Sequence, residues 1–181
     1  MIMEVVLSKE EMLEEWLARR YDEPVRWACG EVVREHEAEF RIKAVREMRG
    51  WYLRLLDEGE LRYLAPVDGI EGARLAPTSD GSMELVLPAG TRRVVAVRLV
   101  GWSRDAEIVE ADSVSAQRQG NPYSRGMTEE PVAVMERGGS SMRLYSGTIV
   151  GERLTRLLVV RDEGPEVYRF DESALTLIER R

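Results

Sequence analysis

The residue types that most often do chemistry are scarce in this chain. Its 181 residues include one histidine, His36, and one cysteine, Cys29. Both fall in a segment whose apolar residues recur at helical spacing, and seven positions on a helix correspond to about 10.5 Å of rise. A thiol and an imidazole that far apart on one helix do not form a nucleophile–base pair. His36 falls on the apolar side of that helix, so we interpret it as a packed side chain rather than a catalytic base.

The common catalytic and ligand-binding motifs are also missing from the sequence. It contains no G-x-S-x-G nucleophile motif, neither of the glycine-rich phosphate loops and no D-x-D-x-D-G calcium loop. A single cysteine allows neither an intrachain disulfide nor a cysteine-based zinc cluster. We therefore predict a protein that is not an enzyme and that uses no cofactor and no metal.

Paired carboxylates leave one enzymatic alternative open, because a glycoside hydrolase needs only two well-placed acids. The chain has 33 acidic residues, so acidic neighbours are expected by chance. A solvated charged face is the interpretation that we favour for them. The pairs are Glu10/Glu14, Glu31/Glu35 and Asp57/Glu60.

The charge balance and the apolar runs limit the partners. The formal net charge is −7, and the basic residues are scattered singly instead of forming the stripe typical of proteins that grip duplex DNA. Of the 26 basic residues 24 are arginines, which reflects either genomic base composition or interfaces that use planar guanidinium contacts. No run of apolar residues is long enough to predict a membrane span, and the start lacks a secretory signal pattern. We expect cytoplasmic synthesis without export.

Two helices are predicted at the start of the chain. Ser8 and Glu11 have the spacing of a capping box, which predicts a helix from there to about Tyr21. A second helix is predicted over residues 22–40. After Phe40 the apolar residues tend towards alternation, so "FRIKAV", "WYLRLL" and "LRYLAPV" are predicted as strands, with a helix over 41–49 as the competing interpretation of the first.

The rest of the chain has the pattern of short strands. "SMELVLPAG" and "TRRVVAVRLVGW" predict two strands, and hairpins are predicted around "RGGS" and "RDEGP". The final "DESALTLIERR" fits either a strand or a short capped helix. We therefore predict an α+β fold with a single domain over 1–181, in which 1–40 form a helical hairpin and 41–181 a mainly antiparallel β region.

One polar stretch, "QRQGNPYSRGMTEEPV" at 117–132, lies between two of these strands. It carries turn-forming residues, the aromatic Tyr123 and hydrogen-bonding side chains that include Gln117, Asn121 and Arg125. These groups can satisfy the backbone of a long connection, which would otherwise be left unpaired. We predict an ordered connection whose Tyr123 anchors it either to the sheet or to a neighbouring subunit.

Three segments in order, "LPAGTRRVVAVRLVGWSR", "QRQGNPYSRGMTEEPVAVM" and "SMRLYS", resemble virion structural proteins of tailed phages and prophages, notably of Bacteroidetes and crAss-like phages. The resemblance covers about residues 83–146. It departs from the family pattern at Gly90, Thr91 and Met127. The positions that match are Leu87, Pro88, Arg93, Trp102, Arg104, Asn121, Tyr123, Gly126, Pro131 and Val132.

The resemblance implies a head–tail connector, of the adaptor or tubular gatekeeper type. Such a protein assembles as a homo-oligomeric ring that links portal to tail and lets DNA pass, in a virion assembled in the host bacterial cytoplasm. Portal and tail proteins are the implied partners. Trp102 and Arg104, in a turn, join Gln117, Asn121, Tyr123 and Arg125 as candidate interface residues. The alternative is a small non-enzymatic bacterial binding module unrelated to virions.

Overall fold

The computed structural model describes residues 3–21, 31–145 and 153–179, and for 31–36 it describes the backbone alone. Cys29, the His36 side chain and the predicted start of the second helix lie outside this description. The chain packs as two compact units, one formed by Met1–Ala65 with Asp162–Arg181 and the other by Pro66–Arg161. The first holds the long helices and the second holds most of the strands.

Ten strands and three α-helices make up the described chain, and short 3-10 helices lie at Leu61–Tyr63 and Glu172–Leu177. The helices are α1 (Lys9–Arg20), α2 (Glu31–Glu58) and α3 (Val114–Arg118). The strands are β1 (Glu4–Ser8), β2 (Val67–Asp68), β3 (Arg74–Pro77), β4 (Met83–Val86), β5 (Thr91–Leu99), β6 (Glu107–Glu110), β7 (Val132–Met135), β8 (Ser141–Tyr145), β9 (Leu154–Arg161) and β10 (Val167–Asp171). The α+β class is as predicted.

Helix α1 begins with the predicted capping box. Ser8 Oγ accepts a hydrogen bond of 3.3 Å from the Glu11 backbone N–H, and Glu11 Oε2 accepts one of 2.8 Å from the Ser8 N–H. Hydrogen bonds from the Ser8 N–H and the Ser8 hydroxyl to the carboxylate lower the pKa of Glu11. Met12, Leu13 and Trp16 form the buried side of the helix. The predicted end near Tyr21 is confirmed, since Tyr21 is the C-cap residue.

Helix α2 corrects the prediction for residues 40–58. For "FRIKAV" the competing helix over 41–49 is confirmed, and the strand predicted at "WYLRLL" is wrong, because the helix continues through it to Glu58. Ala44, Met48 and Tyr52, at intervals of four, form a buried stripe, and a short apolar run fits this period as well as it fits alternation. Gly50 lies inside the helix at a cost of about 1 kcal/mol rather than in a turn. The part predicted as β therefore begins later than residue 41, and "LRYLAPV" begins as a 3-10 helix.

The first unit has a two-stranded antiparallel sheet, in which β1 pairs with β10. The hairpin predicted around "RDEGP" is therefore wrong: β9 pairs with β5 and β2, and β10 does not pair with β9. β9 is the central strand of its sheet, with β5 on one side and β2 on the other, and β10 pairs with β1 instead. Of the two alternatives for the segment that begins at Asp171, the capped helix is confirmed as a 3-10 helix over Glu172–Leu177, with Asp171 as its N-cap.

The edge of β10 that does not pair with β1 is hydrogen-bonded by the side chain of Tyr52. Its hydroxyl accepts a hydrogen bond of 3.1 Å from the Arg169 N–H and donates one of 3.3 Å to the Arg169 carbonyl. The Tyr52 ring packs edge-on against Tyr168, with centroids 4.9 Å apart. Burial raises the pKa of Tyr52 to about 12. One side chain thus joins α2 to the backbone of the sheet.

The second unit contains two sheets, of order β2–β9–β5 and β3–β4–β8–β7–β6. The hairpin predicted around "RGGS" is confirmed as β7–β8, and Gly138 and Gly139 take the positive φ values that its turn requires. The predicted strands β4 and β5 are confirmed and lie in different sheets. One shared core of Leu, Val, Met, Ala and Trp side chains includes members from both. One pair departs from the antiparallel pattern, since β6 and β7 run parallel.

Replacing Tyr52 with Phe should destabilise the first unit, because it leaves the Arg169 N–H and carbonyl without their partner. We expect a loss of about 1–3 kcal/mol of unfolding free energy at neutral pH, measured by urea denaturation followed by tryptophan fluorescence. A change below about 0.5 kcal/mol would contradict this role of the hydroxyl.

The same variant should change the pH dependence of stability. The folded-state pKa of Tyr52 lies above the ordinary value of 10.0, so its contribution is complete below pH 10 and is lost as the pH rises towards about 12. Wild-type protein should therefore lose stability across this interval more steeply than the Phe variant. Parallel denaturation curves at pH 9 and pH 11 would check this.

Candidate interaction site at the connection between β6 and β7

Because β6 and β7 run parallel, the chain must return from the end of β6 to the other end of the sheet before β7 begins. Parallel neighbours need a crossover, and here residues 111–131 supply it. We call these residues the β6–β7 connection. It opens with the short helix α3, whose N-cap Ser113 accepts a hydrogen bond of 3.1 Å at Oγ from the Ala116 N–H. The remainder is irregular, so its backbone groups need partners from side chains.

The buried amide of Gln119 provides two of those partners. Its Nε2 donates to the Ser115 carbonyl over 3.0 Å, and its Oε1 accepts a hydrogen bond of 2.8 Å from the Gly126 N–H. The side chain is buried, with 3% of the residue exposed. Gln119 therefore holds the two halves of the connection together.

Gly126 is required by close approach to the sheet. A Cβ atom at this position would lie 2.8 Å from the Val132 nitrogen and 3.0 Å from the carbonyl oxygens of Glu130 and Tyr145. All three neighbours are backbone atoms, which cannot rotate away. The absence of a side chain is thus what lets the connection return onto β7.

Arg125 ties the connection to a neighbouring turn. Its Nε donates to the Gln119 carbonyl over 2.8 Å, and its Nη1 donates to the Asp80 carbonyl over 2.5 Å. The guanidinium lies 5.6 Å from the ring centroid of Tyr145. Hydrogen bonds from the hydroxyls of Ser82 and Thr78 hold the pKa of Asp80 well below its usual range, so this turn keeps its charge.

The tip of the connection is a tight turn that presents Tyr123. Asn121 Oδ1 accepts a hydrogen bond of 3.0 Å from the Tyr123 N–H, and Ser124 Oγ donates one of 2.9 Å to the Arg118 carbonyl. Tyr123 itself is 95% exposed. Of the two predicted anchors, the sheet of its own chain is therefore excluded. Val114 and Met127 add exposed apolar side chains to the same connection.

The other predicted residues take different positions. Trp102 is a buried member of the core of the second unit, so it supports the turn from inside. Arg104 is exposed and forms an ion pair with Glu130, with 3.7 Å between Arg104 Nη2 and Glu130 Oε1. The Ser103 N–H donates to the Thr128 carbonyl over 3.0 Å, which attaches this turn to the connection. Gln117 is exposed.

Sequence reasoning found Asn121, Tyr123 and Arg125 but missed the role of Gln119. In the sequence Gln117 and Gln119 are equivalent glutamines, two positions apart. Which one turns inward depends on the phase of α3, and a five-residue helix is too short to read from apolar spacing. The capping pattern at Ser113 was the available signal for that helix.

An open groove of about 590 Å³ lies along the connection. Its charged lining is balanced, with three arginines and three glutamates, so it does not favour a highly charged ligand. These residues are Arg104, Arg118, Arg125, Glu107, Glu129 and Glu130.

Of the predicted carboxylate pairs, Glu31/Glu35 lies outside the described side chains. Glu10, Glu14 and Asp57 are exposed, and Glu60 is exposed and forms an ion pair of 3.0 Å with Arg62. Within the described ranges, no three His, Cys, Asp or Glu side chains group as metal ligands. In the same part of the chain, no helix has the length and apolar character needed to span a membrane.

Comparison of the chain with protein-family models, with curated proteins and with solved structures finds no match. The geometry of the β6–β7 connection is therefore the basis for assigning a role.

Replacing Gln119 with Leu should destabilise the second unit, because the buried Gly126 N–H loses its acceptor. The expected loss is about 1–3 kcal/mol. Gln117→Leu is the matched control, since this exposed glutamine should tolerate the same change within about 0.5 kcal/mol. Urea denaturation, with hydrogen exchange at the Gly126 amide, checks both. Equal effects of the two substitutions would contradict the role of Gln119.

Proposed function

We propose that the chain is a non-enzymatic structural protein of a tailed phage or prophage virion. In this proposal it assembles as a homo-oligomeric ring near the head–tail junction, links portal to tail proteins and lets DNA pass without specific binding. The observation that carries the proposal is the exposed Tyr123 at the tip of a connection that is internally hydrogen-bonded. The resemblance of residues 83–146 to virion structural proteins supplies the biological setting.

An ordered loop with an exposed aromatic tip is suited to binding another protein. Binding costs less entropy when the contacting segment is already fixed, and Gln119 and Arg125 fix this one. Tyrosine is among the residues that contribute most at interfaces, because its ring buries a large apolar area and its hydroxyl retains a polar contact. The exposed Met127 extends the same surface.

A ring also needs a second, different surface, because head-to-tail contacts join unlike faces. The groove along the later part of the connection lies at the beginnings of the parallel strands β6 and β7, since Glu107 and Val132 line it. A groove of about 450 Å³ lies at their ends, lined by Ile108, Met135 and Arg137 among others. Apolar side chains and a guanidinium form a chemically suitable site for a tyrosine ring. We assign Tyr123 to this groove of the neighbouring copy.

The charge of the chain is consistent with a DNA passage. A net charge of −7 gives repulsion between the protein and phosphate, so DNA in a central channel would not adhere to its wall. A channel lining of this kind needs no base contacts and no basic stripe.

Tyr123→Ser should reduce assembly, because it removes the aromatic side chain at the tip. The wild-type chain should form a species several times the mass of one chain by light scattering, alone or when mixed with the portal protein. Ile42→Ser is the matched control, since Ile42 is 63% exposed on α2 and takes no part in the proposed contact. A wild-type chain that stays monomeric under both conditions would contradict the ring and favour the binding-module alternative.

Two complementary variants test the head-to-tail geometry. Tyr123→Ser keeps the groove and Arg137→Glu keeps the tyrosine, so each variant alone should assemble poorly. Their mixture contains one intact pair of surfaces and should give dimers that do not grow into rings, as measured by light scattering. A mixture that remains monomeric would overturn the assignment of Tyr123 to this groove.

A further inference from the structure

The two-stranded sheet of the first unit has one closed edge and one open edge. β1 and β10 pair with each other, and on the far side of β10 the Tyr52 hydroxyl bonds to both backbone groups of Arg169. Within the described residues, no strand pairs with the outer edge of β1. Unpaired backbone groups at a sheet edge are a template for another strand, so this edge is able to accept one.

The register shows which backbone groups of β1 point outward. The Lys9 N–H donates to the Glu166 carbonyl over 3.1 Å, and hydrogen-bonded pairs alternate along an antiparallel ladder. The odd-numbered residues of β1 therefore bond to β10, and the residues that point away are Glu4, Val6 and Ser8. The Ser8 N–H is already bonded to Glu11 Oε2 in the capping box. Glu4 and Val6 thus present both an N–H and a carbonyl at the outer edge.

The side chains on this edge are accessible. Val6 is 49% exposed and Glu4 is exposed. The helices pack on the other face of the sheet, where Trp16 of α1 and Phe170 of β10 both contact the Trp51 ring, with centroids 5.7 and 6.2 Å from it. Successive residues of a strand point to opposite faces, so the face that carries Val6 is the one turned away from the helices.

The other sheet edges of the described chain carry features that discourage pairing with another strand. β5 has three register shifts, β2 has only two residues, β3 carries Arg74 and Pro77, and β6 has a glutamate at each end. β1 has five residues in continuous register and contains neither proline nor lysine. Its outer edge is therefore available where the others are protected.

We propose that β1 of a second copy of the chain pairs with this edge, antiparallel and about a two-fold axis at Val5. In this register Glu4 of one copy lies opposite Val6 of the other, so the outward N–H and carbonyl groups of both residues are all paired. The resulting sheet has the order β10–β1–β1–β10, and Tyr52 closes each of its outer edges. A strand of an unrelated protein would instead bring a new open edge, which is why a second copy suits this site best.

The charges of β1 fit a second copy in this register. Glu4 lies opposite a valine rather than opposite another carboxylate, and its own chain offsets its charge through an ion pair with Arg169. A two-fold axis at Val6 would instead place Glu4 opposite Ser8, whose N–H is not available because it is bonded to Glu11. The contact uses residues of the first unit alone, so it does not depend on the proposed ring.

Two substitutions of opposite charge at position 6 test the contact and its register. Val6→Glu places a carboxylate opposite Glu4 of the other copy on both sides of the axis and should weaken dimerisation by about tenfold. Val6→Lys places an ammonium group there and should retain the dimer. Within one chain position 6 lies opposite Arg169, so the acidic variant should remain folded, as circular dichroism would show. Loss of the dimer with both substitutions, or with neither, would overturn the proposal.

Val86→Glu is the matched control for these variants. Val86 is also a strand valine and is 42% exposed, but it lies in β4, which has a neighbouring strand on each side. This substitution should leave dimerisation unchanged. If it weakened the dimer as much as Val6→Glu does, added negative charge alone would account for the effect and the proposed contact would be refuted.

Light scattering at rising concentration measures the dimer, and the Tyr123→Ser chain is used throughout so that ring contacts add no mass. The ring is tested in the Val6→Glu background for the same reason, so failure of either proposal leaves the other intact. Hydrogen exchange then locates the contact: the Val6 amide should become protected as the dimer forms, whereas the Val5 and Leu7 amides, which bond to β10, should be protected throughout. A Tyr123→Ser chain that stays monomeric, or a Val6 amide that exchanges equally fast in monomer and dimer, would contradict the pairing of β1 with a second copy.

Discussion

The parallel pairing of β6 and β7 is the constraint on which the candidate interaction site depends. Two parallel strands cannot be joined by a tight turn, so the chain leaves the sheet at Glu110 and returns at Val132. The backbone of this excursion cannot take part in a ladder, and buried backbone groups without partners are costly. Gln119 meets this requirement with one amide that donates and accepts. The tip that carries Tyr123 is ordered as a consequence.

The two units meet the same backbone requirement in similar ways. In the first unit β10 has a strand on one side only, and the hydroxyl of Tyr52 pairs with the N–H and carbonyl of Arg169 on its other side. In the second unit the amide of Gln119 pairs with two backbone groups that no strand reaches. Each of these side chains is buried and uses both its donor and its acceptor, which is the arrangement that makes a buried polar group favourable. Each position is therefore sensitive to an isosteric change that removes one atom.

The proposed function depends on the order of the β6–β7 connection. At the β6–β7 connection the hydrogen bonds are satisfied within the chain, and what remains exposed is an aromatic side chain suited to another protein surface. This arrangement favours a macromolecular contact with little reorganisation.

Local signals in the sequence determined the parts of this structure that depend on neighbouring residues. The capping box at Ser8 and the glycine turn at Gly138 and Gly139 were predictable, because each is fixed within a few positions by hydrogen bonding or by φ. So were the turn at Asn121 and the α+β class. Tertiary structure alone decided the continuation of α2 through Gly50, the separation of β9 from β10, and the burial of Gln119 rather than Gln117. These outcomes depend on which segments, distant in sequence, compete for the same apolar face or backbone edge. The spacing of residues along the chain does not show the result of that competition.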